Sequence, residues 1–327
     1  MKPPLTTHEP PLTILLAAPR GFCAGVDRAI EIVDKALELY GAPIYVRHEI
    51  VHNRWVVEAL RAKGVVFVKE VDEIPDGGIT VFSAHGISEK VENSAKLRNL
   101  PIIDATCPLV TKVHNEAKRY EREGYEIILI GHAGHPEVEG TSGRVKRVYL
   151  IENEADVTRL APTSNKLAYV TQTTLSVDDT KAIITALKTK FPHIEGPDTK
   201  DICYATQNRQ MAVKELSKQV QLLLVVGSKN SSNSNRLRDL GAEMGIPAYL
   251  IDDATDVKPE WLNGVSRIGL TAGASAPEHL VERVIAYIET LRMITVEDFK
   301  VIEERVTFNL PKEVRSQPFV TRIKTGG

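Results

Sequence analysis

The stretch Leu12-Thr-Ile-Leu-Leu-Ala-Ala-Pro-Arg-Gly-Phe-Cys23-Ala-Gly begins with an apolar run and ends in a polar turn that carries a cysteine. Beyond the turn, apolar residues recur at helical spacing: Val26, Ala29, Ile30, Val33 and Leu37. This pattern predicts a short buried strand, a turn, and a helix whose N-terminus lies at Cys23. Repeated strand–turn–helix units of this kind build parallel sheets with crossover helices.

Two more cysteines stand in similar surroundings, in Ile102-Ile-Asp-Ala-Thr-Cys107-Pro and in Asp201-Ile-Cys203-Tyr-Ala-Thr. An isolated cysteine is most often a small buried hydrophobe, but three in the same context favour a shared role as ligands. The three lie 84 and 96 residues apart, so there is no Cys-x-x-Cys pair of a zinc knuckle or thioredoxin-type site. A helix N-terminus is expected to favour the thiolate form that binds metals.

The overall composition is that of an ordinary globular protein, with 327 residues, 43% hydrophobic and 26% charged. The formal net charge is −2 and basic residues are dispersed among acidic ones, which argues against binding to nucleic acid or an anionic membrane. The proline-rich start, Met1–Pro11, has no apolar signal-peptide core, and an odd cysteine count argues against structural disulfides. We therefore expect a cytoplasmic protein with a flexible lead-in.

Each third of the chain adds two polar turns to its cysteine turn, and every turn follows an apolar run. These turns contain His52 and His85, then His135 and Thr173, and finally Ser231 and Ser275. In open parallel sheets, ligands bind at the carboxyl ends of strands. The pattern predicts an α/β trefoil of three pseudo-threefold-related lobes with mostly parallel sheets around a central cavity. The expected lobes are residues 1–106, 107–202 and 203–293, and a tail, 294–327, packs back on another lobe. Three unrelated strand–helix segments are the plainer alternative.

Three thiolates without a fourth suit an iron-sulfur cluster that has one iron free of protein ligands. Zinc with three thiolates and a histidine competes with this interpretation, although structural zinc ligands usually come in close pairs. The polar turns are rich in His, Ser, Thr and Asn, which suits a multiply charged anion such as a diphosphate.

Glu137, in Gly-His135-Pro-Glu137, is the candidate proton donor, because a carboxyl in a closed cavity can be tuned toward neutral pH. His132, His135 and Glu137 could instead form a metallohydrolase site, but the chain has no His-Glu-x-x-His motif. Walker and dinucleotide-binding glycine motifs are also missing, so nucleotide binding lacks support.

Taken together, these motifs resemble the 4-hydroxy-3-methylbut-2-enyl diphosphate reductase family of the non-mevalonate isoprenoid route, over residues 12 to 312. The matching segments include Pro-Arg-Gly-Phe-Cys23-Ala-Gly, Ser-Ala-His85-Gly, Asp-Ala-Thr-Cys107-Pro, Gly-His135-Pro-Glu137-Val, Thr-Gln-Thr173-Thr174-Leu-Ser, Cys203-Tyr-Ala-Thr-Gln-Asn-Arg, Ser-Lys-Asn-Ser231-Ser232-Asn233 and Gly-Ala-Ser275-Ala-Pro-Glu. No functional position departs from the family pattern.

The resemblance implies one [4Fe-4S] cluster per chain, bound by Cys23, Cys107 and Cys203. It also implies a reductive dehydroxylation that uses two electrons and two protons, with the substrate hydroxyl on the open iron and isopentenyl and dimethylallyl diphosphates as products. Glu137, Thr173 and His135 would be catalytic, and a ferredoxin or flavodoxin would donate the electrons. The substrate would be held by His52, His85, His135, Thr173, Thr174, Ser231, Ser232, Asn233 and Ser275. A non-catalytic iron-sulfur sensor that binds a small phosphate ligand is the alternative from another functional class.

Overall fold

The fold is built around three separate β-sheets, seen in a computed structural model that describes residues 10–315. Every strand pair of these sheets is parallel, as the alternation of apolar strands and helices predicts. The sheets have five, four and three strands, and each belongs to one lobe. The sequence-based prediction of an α/β trefoil is therefore confirmed.

The first lobe contains the four-stranded sheet, in the order β3-β2-β4-β5. Its strands are β2 (Ile44–Arg47), β3 (Val65–Val68), β4 (Thr80–Phe82) and β5 (Ile102–Asp104). Its helices are α1 (Ala24–Tyr40), α2 (Arg54–Ala62) and α3 (Glu89–Leu97).

The second lobe contains the three-stranded sheet, in the order β7-β6-β8. Its strands are β6 (Glu126–Ile130), β7 (Val148–Ile151) and β8 (Leu167–Thr171). Its helices are α4 (Pro108–Arg122), α5 (Pro136–Ser142), α6 (Glu154–Arg159) and α7 (Val177–Lys190).

The third lobe contains the five-stranded sheet, in the order β10-β9-β11-β1-β12. Its strands are β1 (Leu12–Ala18), β9 (Leu222–Val226), β10 (Ala248–Ile251), β11 (Arg267–Ala272) and β12 (Ile294–Lys300). Its helices are α8 (Tyr204–Ser217), α9 (Ser232–Glu243) and α10 (Glu278–Leu291).

Helices cover both faces of the third sheet along its inner strands, so the residues of those strands are apolar on both sides, whereas the edge strand β12 is mostly exposed. In the third lobe, Leu15 and Ala17 of β1 pack toward α8 and α9, whereas Leu12, Ile14 and Leu16 pack toward α10. This division follows from the alternation of side chains along a strand. It explains why the strands are continuous apolar runs in the sequence rather than alternating ones.

The position of β1 corrects the sequence-based lobe division, which counted Leu12–Ala18 with the first lobe. The strand pairs with β11 and β12, so it belongs to the sheet of the third lobe. An apolar run of this kind suits the interior of any parallel sheet, and local sequence does not determine which sheet accepts it.

With β1 in the third lobe, each cysteine lies where the chain leaves one lobe and enters the next. Cys23 separates β1 of the third lobe from α1 of the first, and Cys107 separates β5 from α4 of the second. Cys203 separates the second lobe from α8 of the third, but no regular strand directly precedes it. Between α7 and Cys203 the chain forms only an isolated β-bridge, between Glu195 and Ala168 of β8. The chain therefore winds through the three lobes in a cycle.

The tail begins with β12 and then crosses to the first lobe without regular strand or α-helical structure. Leu310 and Val314 join the apolar core formed by α1 and the four-stranded sheet, and the Tyr40 hydroxyl donates to the Glu313 carbonyl oxygen. The expected strand at the start of the tail is present. Residues 1–9, where the flexible lead-in was expected, and residues 316–327 lie outside the described range. Among residues 10–315, no helix has the length and apolar character to span a bilayer.

If the tail stabilises the first lobe through Val314, which is 3% exposed, Val314→Ala should lower the free energy of unfolding by about 2 kcal/mol. The matched change Val306→Ala, at a position that is 39% exposed in the same tail, should cost less than about 0.5 kcal/mol. Urea unfolding followed by circular dichroism measures both. Equal effects of the two substitutions would contradict the docking of the tail.

Candidate functional site

A cavity of about 110 Å³ lies where the three lobes meet. All thirteen residues that the sequence singled out line it: Cys23, His52, His85, Cys107, His135, Glu137, Thr173, Thr174, Cys203, Ser231, Ser232, Asn233 and Ser275. The cause of this convergence is topological, since most of these residues lie in turns at the carboxyl ends of parallel strands. The N-termini of α1, α4, α5, α8 and α9 all face this region, with Cys23, Cys107, His135, Cys203 and Ser231 as their N-cap residues.

The three cysteines are half-buried and line the cavity, and desolvation by the surrounding protein raises the pKa of each thiol. The pKa of Cys107 rises to about 12 and that of Cys203 to about 11, because the charged thiolate is poorly solvated there. The helix N-terminus favours the thiolate, as expected, but less strongly than burial disfavours it. Hydrogen bonds from backbone N–H groups oppose the effect of burial without overcoming it. A bound polycationic group would supply the missing stabilisation of three thiolates.

Gly25 leaves space between two of the thiols. A Cβ atom at this position would lie 2.7 Å from Cys107 Sγ and 3.8 Å from Cys23 Sγ. No group of three or more His, Cys, Asp or Glu side chains within residues 10–315 is placed to hold a single metal ion. Thiols spaced around a cavity, rather than converging on a point, fit a polynuclear cluster and not a mononuclear zinc site.

Three imidazole rings form a cluster on the same cavity. His52 and His85 stack with ring centroids 4.1 Å apart, and His135 meets them edge-on at 5.4 and 5.9 Å. Burial and the neighbouring rings lower the pKa of His85 well below its ordinary value, and burial lowers that of His135 to about 3. His85 and His135 are therefore neutral at pH 7, in a cluster that is unfavourable to further positive charge until an anion binds.

The orientation of His52 is set by a carboxylate. Its Nδ1 lies 3.1 Å from Glu49 Oε2, and the Asn230 amide donates to the same oxygen at 2.8 Å. The pKa of Glu49 is lowered, chiefly by the hydrogen bond with His52. The ring must therefore present Nδ1–H to Glu49, while Nε2 is buried and has no hydrogen-bond partner among residues 10–315. An unpaired buried nitrogen aimed away from its anchor is ready for a ligand.

His135 has a defined tautomer. Its Nδ1 accepts a hydrogen bond from the Glu137 backbone N–H at 3.1 Å, so the proton of the neutral ring is on Nε2. The ring can therefore donate to an acceptor through Nε2. Ser83 Oγ lies 3.3 Å from Nδ1 of His85, which anchors the third ring in a similar way.

Glu137 is a buried acid held by one residue. Its Oε1 accepts from the Thr173 backbone N–H at 2.6 Å, and its Oε2 accepts from the Thr173 hydroxyl at 3.0 Å. Burial raises the pKa of this carboxyl to about 7, although the hydrogen bonds from Thr173 oppose the shift. His132 lies apart from this acid: it is exposed, outside the cavity, and its Nδ1 is 3.5 Å from Glu152 Oε2. The geometry therefore contradicts the metallohydrolase alternative.

Hydroxyl and amide groups complete the cavity on the side of the third lobe. Ser231 caps α9 by accepting from the Ser234 backbone N–H, which directs the first turn of the helix toward the cavity. Asn233 accepts from the Ala274 backbone N–H at 2.9 Å, and Ser275 donates to the His52 carbonyl oxygen at 2.9 Å. The Thr174 and Ser232 hydroxyls lie 3.2 Å apart and link the second lobe to the third. Neutral donors at a helix N-terminus suit an anionic ligand.

Sequence reasoning missed the residues that hold the lining residues in place. Glu49 and Asn230 orient His52, and Thr206 contacts both Cys203 Sγ, at 3.2 Å, and the Asn233 amide, at 3.4 Å. Thr206 follows Cys203 by one helical turn, and Glu49 precedes His52 by three residues. These short spacings could have indicated the contacts from the sequence, but polar residues at such distances from one another are common in any loop.

The comparisons with known proteins agree with this geometry. Residues 14–289 match the family described as LytB protein. A protein of Rhodopseudomonas palustris called 4-hydroxy-3-methylbut-2-enyl diphosphate reductase 1 is 60% identical over 303 residues, which are 92% of this chain and 99% of the relative. A reductase of the same name from Mannheimia succiniciproducens is 58% identical, over 93% of this chain and 98% of the relative.

Solved structures support the same relationship. The E-1-hydroxy-2-methyl-but-2-enyl-4-diphosphate reductase from Plasmodium falciparum superposes with a TM-score of 0.90 at 42% identity, covering 93% of this chain and 97% of that one. A second structure, called (E)-4-hydroxy-3-methyl-but-2-enyl diphosphate reductase, the terminal enzyme of the non-mevalonate pathway, gives 0.63 at 33% identity, with 86% and 100% coverage. From its sequence, its trefoil of lobes and its fold relatives, this chain belongs to the LytB protein family.

Proposed function

We propose that this protein is an oxidoreductase that converts 4-hydroxy-3-methylbut-2-enyl diphosphate to isopentenyl and dimethylallyl diphosphates. The observation that carries the proposal is that three thiols, three imidazoles and one acid of raised pKa line a single cavity. The reaction consumes two electrons and two protons and releases the allylic hydroxyl as water. The family membership and the names of the relatives support this substrate.

Cys23, Cys107 and Cys203 would hold one [4Fe-4S] cluster. The spacing of the thiols and the room left by Gly25 support this assignment. When bound, the cluster would supply the electrons and, at its iron without a protein ligand, a Lewis acid for the substrate hydroxyl. Residues of all three lobes line the cavity, which would limit the access of bulk water to this place.

The diphosphate would be bound by His52, His85 and His135 and by the polar first turn of α9. His135 would donate through Nε2, and the Nε2 of His52, which has no partner among the described residues, would contact the diphosphate. Glu49 would hold the His52 ring in this orientation through Nδ1. Ser231, Ser232, Asn233, Thr174 and Ser275 would add neutral donors, which bind phosphate oxygens without requiring a permanently positive cavity.

Glu137 would deliver protons to the leaving hydroxyl. A carboxyl with a pKa of about 7 holds its proton in about half of the molecules at neutral pH and can still release it, as a general acid must. The Thr173 hydroxyl, which donates to Oε2 of this carboxyl, also lines the cavity and would orient the substrate hydroxyl. Departure of water rather than hydroxide lowers the barrier for breaking the carbon–oxygen bond.

The electrons would come from a transient ferredoxin or flavodoxin in the cytoplasm, as is implied by the family resemblance. The dispersed charges and the net charge of −2 support the view that neither nucleic acid nor a membrane is a partner.

If the three thiols are ligands, Cys23→Ser, Cys107→Ser and Cys203→Ser should each lower bound iron and abolish turnover. A serine hydroxyl retains the shape but rarely ionises, so it cannot replace a thiolate. Iron and sulfide analysis after anaerobic purification, with paramagnetic resonance of the reduced protein, measures the effect. Full iron content and activity in any one variant would remove that cysteine from the ligand set.

The anion site predicts a graded loss of affinity. His52→Ala and Asn233→Ala should each weaken substrate binding by about tenfold to hundredfold, the usual cost of a hydrogen bond to a charged group. His132→Ala, in an exposed loop outside the cavity, is the control and should bind normally. Titration calorimetry with the substrate measures this, and unchanged affinity in both test variants would place the diphosphate elsewhere.

Glu137→Gln should lose about a hundredfold to ten-thousandfold in single-turnover rate while it keeps its iron and still binds substrate. In the wild type, the rate should fall as the pH rises above about 7, because the acid form of Glu137 is then depleted. That decline should be missing in the variant. Glu139→Gln, exposed on the same helix, is the control. A normal rate for Glu137→Gln would exclude this residue as the acid.

A further inference from the structure

One arrangement recurs in all three lobes and lies outside the cavity. About one turn into each helix that starts at a cysteine, a basic side chain reaches the backbone just before the next cysteine. The three basic residues are Arg28 on α1, Lys112 on α4 and Arg209 on α8. They stand five, five and six residues after Cys23, Cys107 and Cys203.

In the first lobe, Arg28 acts on the turn that leads to Cys107. Its Nη1 donates to the carbonyl oxygens of Thr106, at 3.0 Å, and Ala105, at 3.4 Å. Its Nε donates to the Asn309 carbonyl oxygen of the tail at 2.8 Å. The guanidinium therefore joins the first helix of the lobe, the turn through which the chain leaves it, and the tail.

In the second lobe, Lys112 acts on the turn that leads to Cys203. Its Nζ donates to the Lys200 carbonyl oxygen at 3.2 Å and to Asp201 Oδ1 at 3.1 Å. The Asp201 side chain is fully buried, whereas that of Lys112 is 48% exposed. Lys112 therefore links its helix to the turn before the next cysteine, as Arg28 does, but its contact is more accessible to water.

In the third lobe, Arg209 acts on the turn that leads to Cys23. Arg209 is fully buried, and its Nη2 donates to the carbonyl oxygens of Gly21, at 2.7 Å, and Phe22, at 3.3 Å. Its Nη1 bonds to the Ala205 carbonyl oxygen and to the Glu304 carboxylate of the tail, both at 3.0 Å. A buried guanidinium with all of these acceptors fixes its neighbours more firmly than an exposed amine does.

From this repetition we infer that Arg28, Lys112 and Arg209 are positioning residues that form a cyclic clasp, in which each cation fixes the cysteine that follows it along the cycle. Arg28 holds Cys107, Lys112 holds Cys203, and Arg209 holds Cys23. None of the three lines the cavity. Their role is to set the positions of the thiols through the backbone, without touching a ligand.

The inference rests on the proposed function only in treating the thiols as ligands. Its test therefore uses metal-free, full-length protein. The three cysteines are half-buried, so opening of the turn that carries a cysteine should accelerate its reaction with iodoacetamide. The rate at each cysteine, read by mass spectrometry of peptides and compared with the control variants, therefore reports the opening of its own turn. The variants are Arg28→Gln, Lys112→Gln and Arg209→Gln. Their controls are Lys35→Gln, Arg122→Gln and Lys214→Gln on the same three helices, where Lys35 and Lys214 pair with exposed carboxylates and Arg122 is itself exposed.

The expected result is faster alkylation of the cysteine that follows the substituted helix along the cycle, rather than of the cysteine at which that helix starts. We call this the shifted pattern. Arg28→Gln should accelerate alkylation of Cys107, and Arg209→Gln that of Cys23, by about tenfold to hundredfold relative to the controls. Lys112→Gln should accelerate alkylation of Cys203 by a smaller factor, up to about fivefold, because the lysine is half-exposed. In each variant, the alkylation rate of the cysteine at the start of the substituted helix should increase less than that of the next cysteine along the cycle. If Arg209→Gln does not fold, Arg209→Lys keeps the charge but loses the fork of donors, and it should show the same pattern with a smaller factor.

Three outcomes would overturn the inference: rates equal to those of the controls, equal acceleration at all three cysteines, or acceleration confined to the cysteine of the same helix. Iron release to a chelator from the loaded variants is a second measurement, and it should be faster than in the controls. If the wild-type protein binds no iron-sulfur cluster but the variants show the shifted pattern of alkylation, the proposed function fails and the inference of a clasp stands. If the wild-type enzyme turns over normally but the pattern is missing, the clasp alone fails.

Discussion

The convergence of three desolvated thiols on one small cavity is the constraint on which the rest of the structure depends. Burial raises the pKa of all three, so the thiolate form requires a compensating positive group at this place. Bringing the thiols together requires the carboxyl ends of three sheets to face one point. The chain meets this demand by crossing from lobe to lobe at each cysteine, so that each thiol lies at a junction and at the start of a helix.

Desolvation in the cavity also favours the neutral form of both its imidazoles and its carboxyl group. Burial leaves His85 and His135 neutral, whereas it keeps a proton on Glu137 up to a pH of about 7. The same lack of solvent therefore produces hydrogen-bond donors for an anion and an acid for a leaving hydroxyl. Thr173 and Glu49 provide the anchors that hold these groups in place. A more hydrated site would lose both properties together, because both arise from desolvation.

Much of this organisation is readable in the sequence, because parallel sheets place the turns after their strands on a common edge. Apolar runs such as Leu222–Val226, followed by polar turns and helical spacing, correctly indicated the strands, the helices and the convergence of the lining residues. The pairing of β1 with β11 and β12 was not readable, since an apolar strand carries no mark of its partner. The raised thiol pKa values, and the contacts of Glu49 and Asn230 with His52, depend on tertiary burial and packing, which local patterns do not encode.

The placement of β1 has a consequence for the order of events during synthesis. This strand leaves the ribosome first, yet its two neighbours are β11 and β12, which end at Lys300. The first and second lobes contain all of their own strands and can form as the chain emerges, since domains fold as units from the N-terminus. The third sheet, and with it the turn of Cys23, has to wait until β11 and β12 have emerged. The set of three thiols is therefore complete only after translation has passed Lys300, and a group that needs all three cannot be incorporated before that point.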